Sequence, residues 1–328
     1  MSVLASVNDT LVVQVLTEAV VYGTPILFAA LGELLAERSG VLNLGVEGMM
    51  LVGAAMGFWG MQRAPGPMAV ALTLAVLTAA FAALVMASIF AMLVVSLRAS
   101  QIVSGLALTI FAGGLGLSSY LGNDLGIADV PPKYQFGDID VFGLKDLPVV
   151  GPVLFHQSAL VYLSWGLTVA IAFYLSRTRF GLNVRAVGES PGAADAMGIN
   201  VARYRYAHVL AGGALAGIGG ACYSLAITPG WTSGDSLVGG AGWIAIALVI
   251  FSFWRPELCL VGAYFFGGLS GGLPSALQAH GYTIAPEFLN ALPYVMTILV
   301  LVLVSAGFAR RRIGAPAALG IPYVREER

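Results

Sequence analysis

The stretch Met68–Leu97, "MAVALTLAVLTAAFAALVMASIFAMLVVSL", decides the class of fold, because nothing between Pro67 and Arg98 carries a charge. A helix needs about 20 apolar residues to cross a hydrocarbon layer about 30 Å thick. Comparable windows recur along the 328 residues, of which 58% are hydrophobic and 10% charged, and the mean hydropathy is +0.87. In lipid each backbone N–H and C=O must be paired within the structure, which leaves helices or closed barrels. Barrel strands would be about 10 residues long and alternate apolar with polar, and these windows do not. The 42 glycines suit a helical bundle, since small residues let membrane helices approach closely. The expected fold is all-α: a polytopic helical membrane protein, one transmembrane domain over residues 1–328.

About nine spans are expected: Leu11–Leu35, Leu44–Met61, Met68–Leu97, Gln101–Leu121, Gln157–Ser176, Ala207–Thr228, Gly240–Phe253, Leu258–His280 and Phe288–Gly307. The seventh is short, and Gly239, Gly240 and Gly242 suggest a broken or tilted helix there. Loops on the cytoplasmic side are enriched in Lys and Arg. With a cytoplasmic C-terminus, 13 of the 16 Lys and Arg fall inside and only Arg63, Lys133 and Lys145 outside. The expected topology is thus N-out and C-in. Residues 122–156, acidic and rich in Pro and Gly, form an extracytoplasmic loop, and residues 177–206, basic, a cytoplasmic one. "MSVLASVNDT" has no basic segment before the first apolar run, so that run is expected to be retained.

Other classes find little support. Cys222 and Cys259 lie inside apolar runs, which gives no disulfide framework. His156, His208 and His280 are scattered and form no metal-binding spacing. A net charge of −1 with no basic stripe points away from nucleic acid. A phosphate-cradling loop needs GxxxxGK[ST], yet the two lysines, Lys133 and Lys145, are not preceded by glycine. This chain therefore does not hydrolyse ATP by that route itself.

Within the inner loop, "ESPGAADAMGIN" encodes a short helix: Ser190 as N-cap, Pro191 at the first helical position, Asp195 in the body and Gly198 as the stop. Glu189 sits at the positive end of its dipole. So short a helix is unstable alone in water, so it packs either on its own chain or on a partner at the membrane face. A solvated loop joining two spans is the plain alternative.

The other polar concentration is "LGELLAERSGVLNLGVEGMML", Leu31–Leu51. Glu33 and Glu37 are one turn apart at a helix end and repel unless neutralised. Arg38, or a partner's basic residue, is the expected neutraliser. Asn43 is placed to cap the second span, with Glu47 in its first turn. Ionisable groups at membrane depth face the bundle interior or a watery cavity. Glu47 is therefore read as hydrogen-bonded across helices at an inner gate, with substrate contact as the alternative. Gln101, Ser104, Trp243, Asn290 and Tyr294 are candidates to line a path, although such residues also serve as helix glue or interface anchors. "AGGALAGIGGA", Ala211–Ala221, reads as a close helix–helix contact.

"ERSGVLNLGVEGMMLVGA", "FGLNVRAVGESPGAADAMGINVARYRYAHVLAGGALAGIGGACYSL" and "GGAGWIAIALVIFSFWRP", in this order, closely resemble permease subunits of bacterial ABC importers. The likeness is to the branched-chain amino acid/ribose permease superfamily, nucleoside or simple-sugar branch, and covers roughly Pro25 to Gly307. One departure is "FSFWRP", Phe251–Pro256, where glycine is usual near Ser252 and Phe253. The resemblance implies a multi-pass protein of the bacterial inner membrane. It also implies an ATP-binding subunit that holds the ATP and Mg, a second permease (a paralogue), an extracytoplasmic substrate-binding lipoprotein, and no cofactor on this chain. By position it implies that Arg185, Gly188, Glu189, Pro191, Ala193, Ala194 and Gly198, with Asp195 between them, form the coupling segment seated on the ATPase. A secondary transporter driven by an ion gradient is the competing reading. It has no need of a docking helix and more often shows paired carboxylates in mid-membrane.

Overall fold

The computed structural model describes residues 10–113, 117–127, 130–141, 143–231, 237–282, 284–303 and 314–325. Its helices are α1 (Leu11–Arg38), α2 (Val46–Arg63), α3 (Met68–Ala91), α4 (Gln101–Ala112), α5 (Leu117–Asp124), α6 (Ala159–Arg177), α7 (Arg179–Glu189), α8 (Pro191–Ala196), α9 (Val201–Cys222), α10 (Ala241–Phe251), α11 (Pro256–Gly267), α12 (Leu273–Ala279) and α13 (Pro286–Leu303). Wider π-helical turns continue α3 to Ser96, α9 to Ile227, and α11 through Gly268–Gly272 into α12. Five helical stretches are long and apolar enough to cross a membrane, and α4, α10 and part of α13 are shorter apolar helices.

α1 is the central post of the bundle. Residues 23–37 of α1 are all buried, and it packs on α9, α10 and α11. The chain achieves this closeness by reversing the side-chain order of a soluble protein. On α3 the alanines at 71, 75, 79, 83, 87 and 91 form a buried stripe at a spacing of four. Val70, Leu74, Leu77, Phe81, Val85 and Ile89 point outward. Residues four apart share a helix face, so the small face meets protein and the bulky face is left for lipid. Across from the alanines, Gly213 and Gly217 of α9 sit against Ala87, Ala83 and the Ala79 carbonyl. Gly217 also meets Gly53 of α2, while Gly212 meets the backbone of Gly32 on α1. Backbones in contact are what small-residue interfaces in membranes provide.

The two hydrophilic excursions lie at opposite ends of this bundle. Residues 130–136 fold over the end of α2, where Lys133 Nζ donates to the Ala64 carbonyl at 3.0 Å and Gln62 Nε2 to that of Pro131 at 2.7 Å. At the other end, α7 abuts the end of α1, with Gly188 packed on the Arg38 carbonyl.

The structure corrects several expectations. The expected fourth span, Gln101–Leu121, is not one described helix: α4 ends at Ala112 in a turn at Gly113, and α5 is described from Leu117. Residues 177–206 form two helices and the first turns of α9, so α9 starts at Val201 rather than Ala207. The signals were caps: Thr178 Oγ1 accepts from Gly181 N at 3.0 Å, and Asn200 Oδ1 from Arg203 N at 2.9 Å. The excursion at residues 122–156 holds a small antiparallel pair, Asp138–Asp140 with His156–Ser158, so the helical bundle carries a minor strand element.

Candidate functional site

The turn from α1 to α2 is built on a backbone cap. Gly40 takes φ +88°, and Gly40 N and Val41 N donate to Glu37 O at 2.8 Å and Ala36 O at 3.1 Å. This is a Schellman stop, which glycine adopts without strain. The chain then passes Asn43, whose Oδ1 accepts from Gly45 N at 2.9 Å and whose own N–H donates to Glu33 Oε1 at 2.8 Å. Gly45 rather than Asn43 therefore occupies the N-cap position of α2. Asn43 shapes the turn that precedes it.

Glu47, in the first turn of α2, is buried and reaches across to α10. Its Oε1 accepts Gly240 N at 2.9 Å and its Oε2 accepts Gly242 N at 2.7 Å. These are free N–H groups at the start of α10, which a carboxylate satisfies and whose dipole it complements. Gly242 permits the approach, because a Cβ there would overlap the Glu47 backbone. The short, glycine-led helix α10 thus begins on a carboxylate of α2.

Glu37 and Arg38 do not pair with each other. Both reach Trp254, in the tight link between α10 and α11. Its indole Nε1 donates to Glu37 Oε2 at 2.5 Å, and its carbonyl accepts from Arg38 Nη2 at 2.9 Å. The departure noted at "FSFWRP" falls here. Phe253 and Trp254 take φ +52° and +55°, and their N–H groups close a Schellman stop on Ile250 O and Val249 O. An L side chain in that region costs about 1–2 kcal/mol. Glycine would be unstrained at Phe253.

The coupling candidates gather at the same end of the bundle. Pro191 opens α8, which contains Ala193, Ala194 and Asp195. Gly198 at φ +82° ends it, with Gly198 N on Asp195 O at 2.9 Å and Ile199 N on Ala194 O at 3.0 Å. Ser190 occupies the N-cap position, but its side chain makes no capping bond. Arg185 lies on α7, and Gly188 and Glu189 at its end.

One component was not anticipated from sequence: the tail, residues 314–325, straps this assembly together. Ala318 N donates to Gly188 O at 2.9 Å, Ala317 N to Glu189 Oε2 at 3.3 Å and Gly320 N to Gly40 O at 3.3 Å. Arg205, buried on α9, donates to Ile321 O at 3.1 Å. Tyr323 Oη donates to Asp195 Oδ2 at 3.0 Å, and Arg325 pairs with the same oxygen at 3.1 Å. A cavity of about 280 Å3 between α8, the start of α9 and the tail is lined by Arg98, Asp195, Arg205, Tyr323 and Arg325. The only sequence signal was a Pro and Gly pattern after the last span, which names no target.

The candidate path residues divide. Gln101 and Ser104 are buried on α4, and Gln101 Oε1 accepts the Leu42 N–H at 2.7 Å, so Gln101 braces the α1–α2 turn. Trp243 and Tyr294 are exposed, at 37% and 50%, and Tyr294 Oη donates to Gly239 O at 3.4 Å. They stand beside the Glu47-capped start of α10 on a face that a lone chain leaves open. Asn290 lies on α13, with its side chain outside the described residues. Among the described residues there is no cluster of three or more potential metal ligands.

A small-residue bundle of apolar helices, with a capped helical knob at one end, is the architecture of a multi-pass membrane transport subunit. The chain belongs to the family of permease components of branched-chain amino acid transport systems, whose pattern matches residues 15–301. It is 37% identical to the putative glucose ABC transporter permease TsgC13 of Haloferax volcanii, over 92% of this chain and 95% of that one. It is 36% identical to the guanosine ABC transporter permease NupQ of Bacillus subtilis (94% and 95%) and 34% identical to the nucleoside ABC transporter permease NupC of Lactococcus lactis (95% and 97%). No solved structure matches the chain. The protein is a permease subunit of an ABC importer, working with an ATP-binding subunit and substrate-binding partners and carrying no ATPase site of its own. The gradient-driven reading has no counterpart among these relatives.

Proposed function

We propose that this subunit carries a nucleoside, or a related ribose or simple-sugar solute, inward across a bacterial inner membrane, with its N-terminus outside and C-terminus inside. The two relatives named for nucleosides or guanosine and the one named for glucose support that substrate class. Transport is driven through α8. ATP and Mg bind on the partner subunit, and closure of that partner displaces α8. The motion passes through Gly188 and the strapped tail to the α1–α2 turn, and through α9 and α6 to the rest of the bundle. A paralogous permease completes the pathway against the face bearing Trp243 and Tyr294, and an extracytoplasmic lipoprotein delivers the solute. Bistable packing of this kind is how a small displacement switches access.

The observation that carries the reading is the continuous contact from α8 to the inner turn. Asp195 is tied to the tail, the tail to Gly188 and Gly40, and Gly40 caps the helix bearing Glu33 and Glu37. The test is uptake by the whole transporter in proteoliposomes with ATP at the ATPase face and ionophores present. Uptake should require ATP and survive ionophores, and Glu189→Lys with Gly198→Val should leave ATP hydrolysis running while uptake fails. Ionophore-sensitive uptake without ATP, or ATP-driven uptake unaffected by that double substitution, refutes it.

A further inference from the structure

Glu33 and Glu37 stand one turn apart on α1 with exposures of 1% and 0%. Each has one oxygen held by a distant donor: Glu33 Oε1 by the Asn43 N–H at 2.8 Å, and Glu37 Oε2 by the Trp254 indole at 2.5 Å. The remaining oxygens, Glu33 Oε2 and Glu37 Oε1, are sealed from solvent and meet no donor among the described residues. The two carboxyl groups lie within hydrogen-bonding reach of each other. The two leftover oxygens are thus buried one helical turn apart with no described donor.

Two ionised carboxylates cannot share such a site, because like charges at contact in a low dielectric strongly oppose double ionisation. Two buried acceptors with no donor would each also forfeit a hydrogen bond. The cation expected from sequence to neutralise them, Arg38, forms no ion pair with either: its Nε and Nη2 both donate to the Trp254 carbonyl, and its charge acts on Glu37 only from a distance. Among the described residues the neighbouring elements supply no replacement: Arg205 of α9, beside Gly40, donates to the Ile321 carbonyl. Arg185 and Glu189 of α7 act on Arg38. From α10 and α11, Ser252 and Cys259 engage each other at 2.9 Å. His208 of α9 is held by Tyr174 at 2.9 Å and by the Tyr204 carbonyl at 2.6 Å.

We propose that Glu33 and Glu37 bind a single proton between Glu33 Oε2 and Glu37 Oε1, so that the pair carries one negative charge and the proton ties the last turns of α1 together. A carboxyl–carboxylate bond is short and charge-assisted, and here it gives both orphaned oxygens a partner. The bound species is a proton rather than a metal, since two oxygens sealed from solvent leave no room for a coordination shell.

The test uses the amide as a stand-in for the protonated acid. Glutamine at either position keeps a carbonyl oxygen for its existing donor and places an N–H where the shared proton lay. Glutamine at both positions opposes two amide groups, or turns one amide N–H onto the Asn43 or Trp254 donor. The purified transporter complex with Glu33→Gln or Glu37→Gln should therefore keep its thermal midpoint. The Glu33→Gln/Glu37→Gln pair should lose several degrees. Infrared difference spectra of wild type against either single variant should show a protonated-carboxyl carbonyl stretch that the variant lacks. A double variant as stable as the singles, or no such band in wild type, overturns the proposal. The spectrum decides even if one single variant fails to assemble, because the other reads the same band.

Discussion

Replacing Glu47 tests most sharply how α2 and α10 are joined. Its two carboxylate oxygens satisfy the Gly240 and Gly242 N–H groups in a buried setting. Glu47→Ala leaves both donors unmet, at about 1–3 kcal/mol each, and removes a charge worth up to about 2 kcal/mol at a helix N-terminus. Even the lower bound of about 2 kcal/mol lowers the ratio of native to disrupted protein about 30-fold. Glu47→Gln is no conservative change at this site. Its single carbonyl oxygen serves one donor while its NH2 opposes the other, for a cost of about 1–3 kcal/mol. Glu47→Asp, one methylene shorter, reaches one of the two and falls between wild type and alanine. The assay is the heat-step melting of the detergent-purified complex, read by size-exclusion recovery, beside uptake in vesicles. The expected order is Glu, then Asp and Gln, then Ala. A Gln variant that melts and transports like wild type would refute the reasoning.

Three further outcomes follow from particular contacts. Phe253→Gly relieves a left-handed backbone at the loss of a half-buried ring, and the complex should melt no lower than wild type, gaining up to about 1 kcal/mol. A clear drop in melting temperature would contradict the cap. Gly32→Ala drives a methyl into the Gly212 carbonyl and should cost about 1–3 kcal/mol, whereas Gly166→Ala, with nothing within 4 Å of its new methyl, should be neutral or gain up to about 1 kcal/mol; equal melting of the two would contradict the backbone contact. Tyr323→Phe with Arg325→Ala removes the two described tail contacts to Asp195. Each contact is worth about 1 kcal/mol or less, so assembly and ATP hydrolysis should persist while uptake per ATP falls. Unchanged uptake per ATP would make the strap merely structural.

What was legible in the sequence was whatever rests on local periodicity. The apolar windows gave the helical membrane bundle, and "AGGALAGIGGA" gave the face of α9 that meets α3 and α2. The Pro191-to-Gly198 spacing gave α8, and the glycines at 239, 240 and 242 marked the weak start of the seventh span. What was not legible rests on pairing over long separations. Trp254 reaches Glu37 across 217 positions and Glu47 reaches Gly242 across 195. Nothing local in either segment names its partner. Arg38 beside Glu37 looked like an ion pair, but successive residues leave a helix about 100° apart, so the two side chains engage different atoms of Trp254. Thr178 and Asn200 were readable caps, passed over because the basic residues between them resembled a solvated loop.

The central claim is that α8 faces the cytosol and is moved by a separate ATPase. Met197, at the end of α8, is 82% exposed, and Cys222 and Cys259 are buried, so Met197→Cys offers one reactive thiol among the described cysteines. In intact cells an impermeant maleimide should leave it unlabelled until the membrane is opened. In the purified complex it should cross-link to the ATP-binding subunit with a yield that changes when ATP is added. Labelling from outside intact cells, or a cross-link indifferent to ATP, would contradict the account.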